Sequence, residues 1–309
     1  STLSSSSAAS DVYKRQILAM VSYPNYDPND FVLAMQGDDI AADRVEYYLG
    51  VGDYAEEAEI KRPMPLWNRA IFSQYAPGST FKMVPAVAGL ESGVITPGYN
   101  TITCTSPVEI GGWPFRCLAR PDTGHGPLSL VNAMACSCNI YFQQLGVRTG
   151  INEMDYWGKR LGLGEISGID LPGEISGVRA NREHKSLSRE NVYDKTWFPA
   201  DTAQTAIGQF DNAFTILQLA RYAAALSTNE LVTPHIISRV IADDGAILYT
   251  GTRESVPVGM SDSTMLMIRQ GMTAVVESSS GTAHQYLSDM PIRIASKTGT
   301  AETGFEDSK

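Results

Sequence analysis

The chain has 309 residues, of which 43% are apolar and 19% charged, enough for a sizeable core in one large domain or two small ones. Its formal net charge of -10 argues against nucleic acid as a partner. The sequence contains no run of 18 or more apolar residues, so it predicts no membrane span within this chain.

The first 16 residues are predicted to lie outside the fold. Residues 1–10 are rich in Ser and Ala and are predicted to be disordered. Residues 11–16, DVYKRQ, match the translation of a transposase end sequence used in DNA library preparation, and we interpret residues 1–16 as a non-native tail, with a natural flexible tail as the alternative. The domain is therefore assigned to residues 17–309, beginning with a strand over 17–22, and an acidic segment over 38–60 is predicted to be a solvated helix or loop.

A serine and a lysine lie three residues apart at the predicted start of a helix. Apolar residues recur at helical spacing over residues 79–92, a Pro-Gly turn precedes them, and Gly93 ends the run. Residues three apart share a helix face, so the Lys82 amine is predicted to lie beside the Ser79 hydroxyl. A lysine that is desolvated or near another cation can act as the base that activates a serine. Pro85 predicts a kink or a tightly supported first turn.

Three cysteines and a histidine occur around a loop rich in Gly, Pro and Thr. Cys104 and Cys117 are 13 residues apart, as are His125 and Cys138. If the fold brings these four together, they would suit a tetrahedral structural zinc ion that pins the loop. A Cys104–Cys117 disulfide is the first alternative, reasonable outside the cytoplasm, and free cysteines with a turn-capping histidine are the second.

Two further motifs follow in the sequence. Ser137 and Asn139 are two residues apart at the junction of helices predicted over 129–136 and 139–148, where both side chains can face a cleft. Later elements are helices over 151–161, 214–226 and 261–277, a hairpin over 235–249, and a strand over 291–296. This strand delivers the third motif, whose residues are Lys297, Thr298, Gly299 and Thr300.

These motifs, S-x-x-K, S-x-N and K-T-G-T in this order, also occur in class A β-lactamases and penicillin-binding proteins. The chain resembles the class B penicillin-binding protein transpeptidases, and within that group it is most similar to penicillin-binding protein 2, the elongation enzyme, and its sporulation relatives. The resemblance also includes PLWNRA at 65–70, GHG at 124–126 and IGQ at 207–209. Phe210 departs from the pattern, because a glycine is common at that position.

The resemblance implies an α/β (α+β) transpeptidase fold, in which helices flank an antiparallel sheet and a mostly helical lobe carries Ser79 and Ser137. It implies a peptidoglycan D,D-transpeptidase in which Ser79 forms the acyl-enzyme and Lys82 is the base. Ser137 would relay the proton, Asn139 would position lysine and substrate, and the third motif would hold the substrate carboxylate. No cofactor is expected for catalysis. Members of this family continue for two more strands and a helix, so the domain is expected to be incomplete at its carboxy terminus.

The same resemblance implies particular partners and a location. The expected ligands are peptidoglycan stem peptides and β-lactams, and the expected protein partner is a glycosyltransferase of the wall-synthesis complex. An amino-terminal membrane anchor, absent from this sequence, would leave the domain on the outer side of the cytoplasmic membrane. A β-lactam sensor domain, a serine β-lactamase and a non-enzymatic scaffold are the alternatives. The β-lactamase is disfavoured because no E-x-x-L-N stretch lies between Asn139 and Lys297.

Overall fold

A computed structural model describes residues 5–10, 17–54, 64–251 and 254–300 of the chain. The interpretation of residues 11–16 as a scar lies outside the described residues. The same holds for the acidic residues 56, 57 and 59 and for residues 301–309.

The described residues form helices interspersed with short strands. The helices are α1 (Pro28–Met35), α2 (Asp39–Leu49), α3 (Arg69–Phe72), α4 (Met83–Glu91), α5 (Leu130–Ala135), α6 (Asn139–Thr149), α7 (Ile151–Arg160), α8 (Arg182–Ser188), α9 (Val192–Lys195), α10 (Pro199–Ala206), α11 (Ile216–Thr228), α12 (Asp262–Glu277) and α13 (His284–Leu287). The strands are β1 (Ser5–Ser10), β2 (Ile17–Tyr23), β3 (Ile102–Cys104), β4 (Val108–Ile110), β5 (Trp113–Phe115), β6 (Gly126–Leu128), β7 (Glu230–Val232), β8 (Arg239–Ile241), β9 (Ile247–Thr250) and β10 (Ser255–Pro257).

The strands pair as antiparallel ribbons. The pairs are β1 with β2, β3 with β6, β4 with β5, β7 with β10 and β8 with β9, and within the described residues no sheet has more than two strands. Helices combined with antiparallel strands agree with the predicted α/β (α+β) class. The predicted hairpin is confirmed as β8 and β9, whose turn is closed by the Ala242 N–H donating to the Ala246 carbonyl at 2.8 Å.

Three of the predicted helices begin at side chains that cap them. The Ser129 hydroxyl accepts from the Asn132 N–H ahead of α5, Thr215 forms a capping box with Gln218 ahead of α11, and Ser261 accepts from the Thr264 N–H ahead of α12. Such caps satisfy amide groups that have no partner inside the helix. The helices predicted over 79–92, 129–136, 139–148, 151–161, 214–226 and 261–277 are all present within a few residues, the first of them beginning as a 3-10 helix.

Two segments differ from the sequence prediction. Residues Ser5–Ser10, predicted to be disordered, form a strand antiparallel to β2. Residues 291–296, predicted to be a strand, have no strand assignment. A strand requires a ladder partner, and the structure instead anchors this segment to α12 by a bond from the Ser296 N–H to the Met272 carbonyl at 3.0 Å.

The main core surrounds α4, which is buried from Met83 to Gly89. Helices α6, α7 and α12 pack around it, and α12 also packs on α5. Gly271 allows α12 to lie close to α5, because a Cβ at this position would be 1.9 Å from the sulfur of Met134 on α5. Since α4 is apolar on all sides, burial fixes its position, and with it the position of the residues just before it.

Candidate functional site

Ser79 and Lys82 lie in a tight turn that leads into the buried α4. Residues Gly78–Lys82 form a 3-10 helix, and α4 begins at Met83. Pro85 lies in the first turn of α4, where its missing N–H is tolerated, so the helix is supported there rather than broken. Ser79 is half-buried and lines a cleft of about 360 Å³, whereas the Lys82 side chain is fully buried.

The amine of Lys82 is directed at the second motif. Its Nζ donates to the Ser137 carbonyl at 2.7 Å, to the Ser137 Oγ at 3.1 Å and to the Asn139 Oδ1 at 2.5 Å. Among the described residues the Ser79 hydroxyl has no hydrogen-bond partner within the chain. The sequence predicts that the Lys82 amine lies beside the Ser79 hydroxyl, but no hydrogen bond joins the two among the described residues, and the amine is instead held by Ser137 and Asn139.

Ser137 has a backbone conformation that is unusual for a serine. Its φ is +53°, in the left-handed region, between the end of α5 and the start of α6. The Cys138 N–H bonds back to the Ala133 carbonyl at 3.0 Å, which closes the end of α5 in the way that left-handed helix caps do. This cap turns the Ser137 side chain toward Lys82 and leaves Asn139 as the first residue of α6.

The third motif meets the second at the same hydroxyl. The Lys297 Nζ donates to the Ser137 Oγ at 2.7 Å and to the Thr298 carbonyl at 3.0 Å. The Thr298 hydroxyl lies 2.7 Å from that of Thr282. The segment also lies close to the serine turn, because a Cβ at Gly299 would be 3.0 Å from the Thr80 methyl group.

The cleft that Ser79 lines is also bordered by Ser137, Asn139, Thr298 and Thr300. The structure thus brings all three predicted motifs to one place. This happens although 160 residues separate Ser137 from Lys297.

The two amines that share the Ser137 hydroxyl both have lowered pKa values. Burial, reinforced by the positive charge of Lys297, lowers the pKa of Lys82 to about 7. Burial lowers the pKa of Lys297 to about 8. A substantial fraction of Lys82 is therefore neutral near pH 7, which is the state that a proton-accepting lysine requires.

A tight loop after α10 contributes Ile207 and Gln209 to the lining of the cleft. Gly208 has φ +76°, accepts at its carbonyl from the Gly78 N–H at 3.1 Å, and would place a Cβ only 2.0 Å from the Gly78 carbonyl oxygen. Phe210, the departure from the family pattern, has φ +64°, and the centroid of its ring lies 5.5 Å from that of Trp197. The loop keeps a left-handed turn at this position without the glycine that adopts it most readily.

The four predicted metal-binding residues also come together. The side-chain donor atoms of Cys104, Cys117, His125 and Cys138 all lie within 4.8 Å of one another, and His125 Nδ1 is 3.3 Å from the Cys117 sulfur. All four cysteines of the chain are free thiols, so the alternative of a Cys104–Cys117 disulfide does not describe this structure. Three sulfurs and one imidazole nitrogen are a donor set that structural zinc sites use.

Sequence reasoning missed several residues that line the cleft. Gln143 follows Asn139 by one helical turn and so lies on the same face of α6, a spacing that would have identified it. Gln204, Gln209 and Thr282 also line the cleft. They are distant in sequence from Ser79, and only the packing of α10 on α6 and of the segment after α12 on α5 brings them there.

No helix in the described parts of the chain has the length and hydropathy needed to cross a membrane.

Comparison with known proteins places this site in a family. The profile of the penicillin-binding protein transpeptidase domain matches residues 7–309. The peptidoglycan D,D-transpeptidase MrdA of Acinetobacter baumannii is 31% identical over an alignment 306 residues long, which includes gaps and covers 93% of this chain and 39% of that protein. The chain therefore spans well under half the length of this curated relative.

Solved structures give the same result. Penicillin-binding protein 2 of Helicobacter pylori, solved in complex with MreC, superposes with a TM-score of 0.77 at 30% identity, over 96% of this chain and 50% of that one. Penicillin-binding protein A of Mycobacterium tuberculosis, solved as a ceftriaxone acyl-enzyme complex, gives a TM-score of 0.75 at 26% identity, over 97% of this chain and 61% of that one.

Proposed function

The chain belongs to the penicillin-binding protein transpeptidase family, and from that premise we propose that it is the catalytic part of a peptidoglycan D,D-transpeptidase that cross-links stem peptides. The observation that carries the proposal is the Ser137 hydroxyl, which accepts from both Lys82 and Lys297 at the cleft that Ser79 lines. This arrangement gives one cleft a nucleophile, a proton acceptor and a relay between two amines. Each of these groups has a role in acyl transfer.

Acylation begins at Ser79. Its Oγ attacks the carbonyl carbon of the penultimate D-Ala, and its proton passes to the neutral amine of Lys82. The negative charge that develops on the carbonyl oxygen is stabilised by the Ser79 N–H and by an N–H of the segment 297–300. The C–N bond then breaks, and the departing D-Ala nitrogen receives a proton through Ser137. An ester between Ser79 and the stem remains.

The second half of the reaction transfers the stem to an amine. An amino group of a neighbouring stem attacks the ester carbonyl and loses a proton to the same relay. The relay delivers a proton to the Ser79 Oγ as the C–O bond of the ester breaks. Asn139 supports both halves by holding the Lys82 amine at 2.5 Å. Lys297, Thr298, Gly299 and Thr300 bind the terminal carboxylate of the donor stem by charge and hydrogen bonding.

We also propose that β-lactams acylate Ser79 in place of the donor stem. A β-lactam presents a strained amide and a carboxylate to the groups that receive the end of the stem. The M. tuberculosis relative is described as an acyl-enzyme with ceftriaxone, which supports this proposal.

A structural zinc ion is proposed for the cluster of Cys104, Cys117, His125 and Cys138. The cluster lies beside the cleft, since three of these residues, all except Cys104, also line it. A bound zinc ion would cross-link β3 and the loop after β5 to the start of α6 and so stabilise the wall of the cleft. The acyl-transfer steps do not use it.

Partners and location follow from the relatives by analogy. We propose that the whole protein is anchored in the cytoplasmic membrane by an amino-terminal helix, with this domain on the outer side. There it would work beside a glycosyltransferase of the wall-synthesis complex. The H. pylori relative was solved with MreC, and an MreC-like scaffold is a second proposed partner.

Mass spectrometry tests the proposal. The purified chain is incubated with benzylpenicillin and its intact mass is recorded under denaturing conditions, beside Ser79→Ala and the control Ser92→Ala, whose hydroxyl lies at the other end of α4. A stable adduct of one benzylpenicillin on the wild type and on Ser92→Ala, absent from Ser79→Ala, is expected. A folded wild-type chain without adduct, or an adduct that persists in Ser79→Ala, would refute Ser79 as the nucleophile.

The zinc proposal has its own comparison. Native mass spectrometry is expected to show one zinc ion on the wild type and on Cys136→Ser, since Cys136 lies outside the cluster. Cys117→Ser should lose the ion and have a lower melting temperature. Equal zinc content in the two variants would contradict the proposed ligand set.

A further inference from the structure

Gln143 has a buried carbonyl group that the protein itself leaves unpaired. The residue is 3% exposed, and its Oε1 is buried without a hydrogen-bond partner among the described residues. Buried acceptors are nearly always paired, because leaving one without a donor is destabilising. An exception of this kind at a cleft indicates a group whose partner arrives with a ligand.

The position of Gln143 on α6 relates it to the groups that react in the cleft. It lies one helical turn after Asn139 on α6, and Asn139 contacts the Lys82 amine. Both residues line the cleft that holds Ser79. A molecule acylating Ser79 would therefore occupy the cleft that Gln143 also lines.

The composition of the cleft identifies the kind of donor. Its lining within the described residues contains no Asp or Glu, whereas Gln204 and Gln209 add two more neutral amides and Arg116 adds a positive charge. An ammonium group would find no carboxylate there, and Arg116 would repel it. A neutral peptide N–H is the donor that suits an amide-lined wall.

We propose that the Gln143 Oε1 accepts a hydrogen bond from a backbone N–H of the donor stem peptide and is a specificity-determining residue for that stem. The inference rests on the proposed function and adds to it the recognition of a peptide amide next to the scissile bond. Its neighbour Gln144 serves as the matched control. Gln144 follows Gln143 on α6, but its Nε2 donates to the Thr103 carbonyl at 2.9 Å, outside the cleft.

The experiment compares Gln143→Met and Gln144→Met with the wild-type chain. Methionine keeps the length and volume of glutamine but removes the acceptor. Two probes acylate Ser79. The first is a peptide whose terminal D-Ala is activated as a thioester and which has the backbone N–H of the stem. The second is imipenem, which has no acylamino group at the matching position. The second-order acylation rate constant is measured for each probe, together with the melting temperature of each protein.

Loss of one neutral hydrogen bond in the acylation transition state should slow Gln143→Met with the thioester about five- to tenfold. Its rate constant with imipenem should stay within about twofold, and its melting temperature should rise because an unpaired buried carbonyl has been removed. Gln144→Met should keep wild-type rate constants with both probes.

Equal thioester rate constants for Gln143→Met and wild type would overturn the inference and leave the proposed function intact. A parallel loss with both probes, or a lowered melting temperature, would also overturn it, since Gln143 would then have a structural role or be paired with a buried water. A folded wild type that neither probe acylates would remove the proposed function and this inference together.

Discussion

Removing the positive charge of Lys297 should move the pH dependence of Ser79 acylation to higher pH. Burial is the main reason that the pKa of Lys82 falls to about 7, and Lys297 contributes next by repelling a second positive charge. Both amines bond to the Ser137 Oγ, at 3.1 and 2.7 Å. In Lys297→Met the repulsion is gone while Lys82 remains buried, so the pKa of Lys82 should rise.

The magnitude follows from Coulomb's law. Two unit charges roughly 5 Å apart in a medium of effective dielectric constant about 20 repel by about 3 kcal/mol. This energy corresponds to about 2 pKa units, reduced in practice because Lys297, with its own pKa of about 8, is only partly protonated at higher pH. We therefore expect a shift of about one to two pH units.

The assay is the second-order rate constant for acylation by benzylpenicillin, measured between pH 5.5 and about 9.5, a range set by these pKa values. The wild type should lose rate as the pH falls through about 7, because Lys82 becomes protonated. Lys297→Arg is the matched control, since a guanidinium stays charged throughout this range and should keep the midpoint near that of the wild type, where Lys297 is still mostly protonated. A Lys297→Met profile that keeps its midpoint, even at a lower absolute rate, would refute the proposed coupling of the two amines.

Two other substitutions test how the cleft wall is supported. Gly208→Ala should reduce acylation at least a hundredfold, because its Cβ would collide with the Gly78 carbonyl beside Ser79, whereas Gly93→Ala, with a similar φ of +75° but open space around it, should leave the rate unchanged. Lys185→Met should lower the free energy of unfolding in urea by about 3 kcal/mol, because it leaves the carboxylate of Asp201 without its buried partner at 2.7 Å. Lys195→Met, on the exposed α9, should change it by less than about 0.5 kcal/mol.

Either comparison can fail in an informative way. If Gly208→Ala and Gly93→Ala are acylated equally fast, the loop moves freely and does not position Ser79. If the two lysine variants unfold at the same urea concentration, the buried ion pair does not hold the segment between α8 and α10 in place.

The helices and the motif residues were predictable because their signals are local. Ser129, Thr215 and Ser261 each mark the start of a helix with a side chain that caps it, and the apolar run after Lys82 fixes α4. Local signals failed for residues 291–296, where apolar alternation predicts a strand but no ladder partner is supplied by the described residues. They failed also for Ser5–Ser10, whose pairing with β2 is a tertiary contact.

The sequence identified Lys82 as a site residue more readily than it identified the groups that its amine contacts. Helical spacing places its amine on the side of Ser79, but spacing says nothing of the competing acceptors that a distant segment brings. Three oxygens from Ser137 and Asn139 lie within 3.1 Å of the amine. Desolvating an ammonium group is unfavourable unless such acceptors surround it, so burial of the lysine requires the second motif to lie beside it.

The left-handed backbone of Ser137 connects these observations. A serine with φ +53° is less stable locally than a glycine would be, yet glycine has no hydroxyl to link the two amines. The energy needed for this conformation comes from the surrounding structure: the hydrogen bond that closes α5, the start of α6 and the two lysines at 3.1 and 2.7 Å. Strain at this position is therefore a consequence of placing a hydroxyl where the S-x-x-K and K-T-G-T motifs converge. It explains why the geometry of the site depends on the packing of α5 and α6 as much as on the motifs themselves.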